Sequence, residues 1–153
     1  MYESIGKLQI VNITLDRAVD DAQAIFESLN STGKELSESD LIRNYVLMGL
    51  EPSEQTYVYE HLWRPVEQLF IYETQGTVMD AFFRHYLTMK LSRIPKQGRV
   101  YEEFKLYHLN CEFGTIRELC QDLLDYAKYY TNIVFKRNSD MDVKKLYEDI
   151  IDL

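Results

Sequence analysis

The residues best equipped for chemistry lie close together in IFESLNSTGKELSESDLIRNYVLM, residues 25–48. Asn30, Ser31, Thr32, Gly33, Ser37, Asp40, Arg43 and Asn44 bring amides, hydroxyls, a carboxylate and a guanidinium into one short segment. Its apolar residues recur at helical spacing, so it reads as helix, loop, helix. Ser37-Glu38-Ser39-Asp40 is an approximate capping box, with Ser37 at the N-cap and Asp40 at N3 in place of the usual Glu or Gln. Leu36 and Leu41 stand where a hydrophobic staple would close that turn. Capping accounts for Ser37 and Asp40 but gives Arg43 and Asn44 no local task. Those two sit one to two turns into the helix, near first-turn N–H groups that could face a bound anion. The segment is therefore either a locally satisfied helix-loop-helix or a ligand-facing site.

Elsewhere no catalytic or metal-binding spacing stands out. His61, His85 and His108 fall in three separate predicted helices, and there is no HExxH, CxxC or His/Cys cluster. Cys111 and Cys120 read as inert free thiols in a reducing compartment. No GxGxxG or Walker-type GxxxxGK pattern occurs, which leaves dinucleotide and P-loop binding without support. Asp20-Asp21 and Glu102-Glu103 are adjacent pairs, and adjacent helical residues point about 100° apart. Neither pair is a ready-made carboxylate dyad. The chain has 12 tyrosines. They can be core residues with a polar tip at the edge, or bases could stack on them beside Arg84, Arg93 and Arg99. Stacking requires exposure.

The elements that must position these residues are nearly all helical. LQIVNITL, residues 8–15, is rich in β-branched residues and reads as the one short strand. A lone strand must find a partner for its backbone groups. Ala22, Ile25, Phe26 and Leu29 then mark one helix face, ending at Asn30 to Gly33. A second helix runs from Ser37 to about Gly49. Pro52 opens a third through Tyr59, Trp63, Val66 and Phe70, which Pro65 should kink or divide. Further helices follow over Val78–Leu91, from Val100 through Tyr107, and over Ile116–Val134, the last with one apolar face for more than five turns. Asn138-Ser139-Asp140 starts a final helix with Val143, Leu146, Tyr147, Ile150 and Ile151 as its apolar stripe. The expected fold is mainly α: an irregular bundle of about six or seven helices with one short N-terminal β-strand. Residues 1–50 form the strand and helix-loop-helix edge, and 51–153 a helical extension packed as one domain with it.

Seventeen Lys and Arg stand against 25 Asp and Glu, a formal net charge of −8. That argues against nonspecific polyanion binding. The charge is uneven: residues 1–40 hold 3 basic and 8 acidic residues, whereas 84–105 hold 6 basic and 2 acidic. No apolar run approaches the roughly 20 residues of a membrane span, and no secretory signal opens the chain. A cytoplasmic location and no membrane partner are expected.

The segment 25–48 resembles the helix-loop-helix of the DUF262 family, the N-terminal module of GmrSD-type modification-dependent restriction proteins. FFRHYLTMKLSRIPKQGRVYEEFK, residues 82–105, is similar to the helical region that follows it in many members. The resemblance implies a ParB/sulfiredoxin-like core with a DGQQR motif associated with nucleotide hydrolysis, and often a DUF1524 module with an HNH-type nuclease site. Its Asn-x-x-Gly loop and Asp-Leu-x-x-Asn helix would here be Asn30, Gly33, Asp40, Leu41 and Asn44. The resemblance thus makes Asn30, Thr32 and Gly33 approach a nucleotide or the catalytic loop, while Asp40, Arg43 and Asn44 hold the loop or contact phosphate, a task suited to the planar fork of Arg43. No DGQQR and no HNH motif occur in this chain. The expectation is therefore a part of a DNA-defence protein that supports nucleotide sensing or couples it to a nuclease, without catalysis or a cofactor of its own. The NTP, its divalent metal and any DNA contact would belong to the rest of the parent chain, the main expected partner. Pairing of leading strands would allow a homodimer. The alternative is a structural or protein-interaction helical domain with no nucleotide or DNA role.

Overall fold

A computed structural model describes residues 22–30, 36–71, 78–111 and 113–135. Among them run six helices, each built on the apolar spacing read above: α1 Ala22–Asn30, α2 Glu38–Leu47, α3, α4 Val78–Leu91, α5 Val100–Asn110 and α6 Ile116–Val134. Helix α3 is continuous in three pieces, Pro52–Val58, a π turn Tyr59–Trp63, and Arg64–Phe70. Among the described residues there is no β-strand, so the expected fold of helices plus a strand is corrected to a helical bundle. The physical reason is that every described element follows the helical apolar spacing and closes its main-chain bonds as a helix, so none pairs with another along a strand ladder. The strand expected over residues 8–15 and the helix expected after Asp140 lie outside the described residues.

Pro65 divides α3 as expected, with a π turn between two α-helical pieces, and the chain stays helical through the division. A proline ring inside a helix collides with the carbonyl four residues back and removes one hydrogen bond. The π turn immediately ahead absorbs both problems: the Arg64 N–H reaches back five residues to the Tyr59 carbonyl, and the widened turn moves the carbonyls off the ring. Between α2 and α3 the chain reverses at Gly49, whose φ of +81° is open to glycine at little cost. Pro52 then takes a first-turn position where its missing N–H is not needed.

The core is aromatic and aliphatic. Ile42 and Val46 of α2, Trp63 and Val66 of α3, and Phe83 and Leu87 of α4 are buried, joined by Phe104 of α5 and Leu119, Leu123 and Ala127 of α6. Helix α3 packs on α6, α4 packs on both α5 and α6, and α2 leans on α4 and α5. Trp63 stacks on Phe83 with centroids 5.9 Å apart, and Phe83 meets Phe104 edge-on at 6.0 Å. Such pairs add to plain area burial and fix the mutual rotation of the helices. Among the described residues no helix is long and apolar enough to cross a membrane.

Candidate functional site

Helix α2 starts where its cap residues indicate. The Asp40 N–H donates to Ser37 Oγ at 3.1 Å, and the Ser37 hydroxyl donates to Asp40 Oδ2 at 2.7 Å. The carboxylate thus takes the hydroxyl, where a standard capping box would have it take the N-cap amide. The next amide is used by a different helix: the Ser39 N–H donates to Oδ1 of Asp80, in the first turn of α4, at 2.8 Å. Glu38 in turn accepts the Tyr101 N–H, in the first turn of α5, at 2.6 Å. Carboxylates favour helix N-termini for electrostatic reasons. Here they cross from helix to helix and lock α2, α4 and α5 together at their starts.

The six candidate residues of the segment are distributed as follows. Arg43 lies 3.5 Å from Asp40 Oδ1 and 3.4 Å from Glu67 Oε1 on α3. The same Glu67 oxygen accepts the indole N–H of buried Trp63 at 2.8 Å. Asn44 follows Arg43 on α2, half-buried; its backbone carbonyl accepts the Met48 N–H, and its side-chain amide has no hydrogen bond among the described residues. Asn30 is the last residue of α1. Thr32 and Gly33 lie outside the described residues. The structure therefore brings Asp40 and Arg43 into contact on α2, and Arg43 also reaches Glu67 on α3. Helix α1 is held against α5 through Glu27, which accepts from the Tyr101 hydroxyl at 2.5 Å and from Lys105 Nζ at 2.7 Å.

A second polar network was not apparent in the sequence. Tyr86, almost wholly buried on α4, donates to Asp122 Oδ2 on α6 at 2.6 Å, and Lys90 Nζ donates to Asp122 Oδ1 at 2.9 Å. Lys90 Nζ also sits 4.4 Å from the centre of the Tyr126 ring, a cation–π contact. Burial and the Asp122 bond drive the Tyr86 phenol far above its ordinary range, so it stays protonated. Burial pulls the Lys90 ammonium down more than any other single influence, but its bond to Asp122 and the attraction of Asp122, Tyr107 and Tyr126 together hold it above its ordinary value. The result is a satisfied ion pair rather than a free base. Tyr86 and Lys90 are four apart on one helix, a local signal, but Asp122 comes from another element.

The basic stretch is similarly occupied. Arg84 Nε donates to the Pro95 carbonyl at 3.0 Å, Arg93 pairs with Glu103, and Arg99 pairs with Glu102. Arg117 grips Glu54 with two nitrogens and lies 4.0 Å from the centre of the Tyr57 ring, which stacks on His61. Tyr45 and His108 share a 2.8 Å hydrogen bond; burial raises the Tyr45 phenol and lowers the His108 imidazole, keeping both neutral. Tyr86 and Tyr101 are buried and most other described tyrosines are half-buried, which makes them core material. Burial pushes the Cys120 thiol up to about 12, where it is inert at neutral pH. Among the described residues no group of three or more His, Cys, Asp or Glu could hold a metal ion.

The feature that packing leaves open is an apolar groove between α4 and α6. Phe82 faces Tyr130 with centroids 5.4 Å apart, and Tyr86 faces Tyr126 at 5.4 Å. The α4 number rises as the α6 number falls, so the two helices run antiparallel. Their outer lips are His85 and Met89 on one side and Tyr129, Ile133 and Val134 on the other, around a cavity of about 390 Å³. Met89 is 62% exposed, Tyr129 67% and Ile133 50%. A second concavity, lined by Lys90, Arg93, Glu103 and Cys111, carries charges that are already paired. No protein-family model, curated protein or solved structure matches the chain, so the resemblance to DUF262 proteins rests on the residues of its motif alone.

Proposed function

We propose that this chain is a helical protein-interaction domain whose contact surface is the groove between α4 and α6. The observation that carries the reading is the groove itself: Met89, Tyr129, Ile133 and Val134 expose a continuous apolar strip around an open cavity. Contiguous exposed apolar surface of this kind marks association sites, and a trough between two helices suits an amphipathic helix. The polar segment supports the same reading from the other side. The nucleotide-sensing role implied by the DUF262 resemblance would require Arg43 to leave Glu67, and the Ser39 amide to leave Asp80.

The test is affinity purification from the native cells with quantitative mass spectrometry, comparing the wild type, Tyr129→Asp, Ile133→Asp and Arg43→Ala. Partners should be retained by the wild type and Arg43→Ala and lost from both groove variants. Calorimetry with MgATP and MgGTP should show no binding. A partner set indifferent to the groove variants, or nucleotide binding that disappears in Arg43→Ala, would reverse the assignment in favour of nucleotide sensing.

A further inference from the structure

We infer that the groove between α4 and α6 receives a neutral aromatic side chain, the anchor by which the partner helix is recognised. The inference rests on the groove reading above and names the chemistry of the group that enters. A cavity of about 390 Å³ lies at the small end of the roughly 300–1,000 Å³ that bound organic groups occupy. It seats one bulky side chain and leaves the rest of a helix on the lips.

Charge decides the class of that side chain. Tyr86 and Tyr126 both line the groove, and Lys90 Nζ already sits 5.5 Å from the centre of the first ring and 4.4 Å from that of the second. A ring attracts a cation through its quadrupole. Here that attraction is spent, and an arginine or lysine anchor would meet a like charge. A carboxylate anchor fares no better: the Tyr86 hydroxyl is committed to Asp122, itself an anion. Burying a charge without a partner is costly, so an uncharged anchor is the electrostatic complement of this floor. Ring contacts then decide between aromatic and aliphatic. Tyr86 and Tyr126 meet edge-on across the groove, their planes 83° apart. Tyr129 on the lip is 67% exposed and makes no ring contact among the described residues. The Met89 thioether, 62% exposed, stands on the facing lip. An aromatic group entering between them gains a ring partner and a sulfur–ring contact. An alkyl group of equal size gains neither.

NMR titration of the full chain with three amides tests this: N-acetyl-phenylalaninamide, its cyclohexylalanine counterpart with a saturated ring, and N-acetyl-argininamide. The phenyl probe should perturb Met89, Tyr129 and Ile133. It should bind roughly two- to tenfold more tightly than the cyclohexyl probe, whereas burial of area alone gives the phenyl ring no advantage. The arginine probe should leave the groove unperturbed. Tyr129→Leu keeps an exposed lip residue apolar, so folding is not at stake, and should reduce the phenyl preference. Ile133→Asp should abolish binding of both apolar probes. The proposal is overturned if the cyclohexyl probe binds the wild type as tightly as the phenyl probe, or if the arginine probe binds in the groove. It is equally overturned if Tyr129→Leu leaves the preference unchanged, if Ile133→Asp leaves phenyl binding intact, or if no probe perturbs the groove up to its limit of solubility. The partner purification above separates the two levels of the argument. Partners lost from Ile133→Asp, with no phenyl preference in the titration, refute the aromatic anchor and keep the groove. Partners indifferent to Ile133→Asp refute both.

Discussion

Glu67 is the residue whose replacement best separates packing from ligand chemistry around Arg43. Its Oε1 accepts two donors of very different burial: the Trp63 indole N–H at 2.8 Å and Arg43 at 3.4 Å. Trp63 is 1% exposed, so water cannot readily replace a lost acceptor, and an orphaned buried donor costs about 1–3 kcal/mol. The Arg43 side chain is 38% exposed and keeps Asp40 as a partner. A solvated ion pair of that kind contributes about 1 kcal/mol or less. Alanine is a better helix former than glutamate, so no propensity loss offsets the comparison. Glu67→Ala should therefore cost about 1–3 kcal/mol, Glu67→Gln about 1 kcal/mol or less because the amide oxygen still accepts, and Arg43→Ala no more than about 1 kcal/mol. Urea denaturation followed by circular dichroism, with unchanged m-values, measures all three. Trp63 is the only tryptophan, so its emission should shift to the red in Glu67→Ala alone. If Glu67→Ala and Arg43→Ala agree within about 0.5 kcal/mol, below the range expected for an orphaned donor, the assignment of Glu67 to Trp63 is wrong.

Other expectations are briefer. His108 is held below its ordinary pKa by burial, so the unfolded chain takes up this proton first as pH falls. Its contribution is present above the unfolded value of about 6.5 and is lost as pH descends from there through the folded value; the difference between wild type and His108→Gln in urea titrations should shrink over that window and hold steady above it. Ser37→Ala removes the cap acceptor of α2 and should cost about 1 kcal/mol, whereas Ser37→Gly should cost only a few tenths, again by urea titration. Half-buried Cys111 should react with iodoacetamide in the native protein at pH 8, and Cys120, buried with its thiol pushed up to about 12, only after denaturation. Peptide mass spectrometry would show equal labelling if the burial of Cys120 were wrong.

Helix positions were legible because apolar spacing is a local property. The spacing predicts Val78–Leu91 and Ile116–Val134, and α4 and α6 occupy those spans. Thr115-x-x-Glu118 is a capping-box signature: Thr115 caps α6, and Glu118 reaches back to the Gly114 amide. The division expected at Pro65 falls there, but its form, a π turn just ahead of the ring, is a response to the proline rather than a pattern of residue types. What local reading could not supply were partners from afar. Asp80 lies 41 residues from Ser39, Tyr101 lies 63 from Glu38, and Asp122 lies 36 from Tyr86. Even on α6 the spacing counted Val134 as inward-facing, and the structure turns it 48% outward onto the groove.

The polar segment illustrates why residue type underdetermines function at helix starts. A first-turn amide and a carboxylate attract one another whether the carboxylate belongs to a ligand or to a neighbouring helix. What decides the matter is occupancy. In α2 the Ser39 amide is taken by Asp80 and the Asp40 amide by Ser37, and the start of α5 takes Glu38. An incoming phosphate would have to displace a carboxylate that also fixes the angle between two helices, so binding would loosen α2 from α4. The apolar groove carries no such penalty, because its exposed rings and aliphatic groups have packing still to gain. Association there adds buried surface and breaks none of the described hydrogen bonds among α2, α4 and α5.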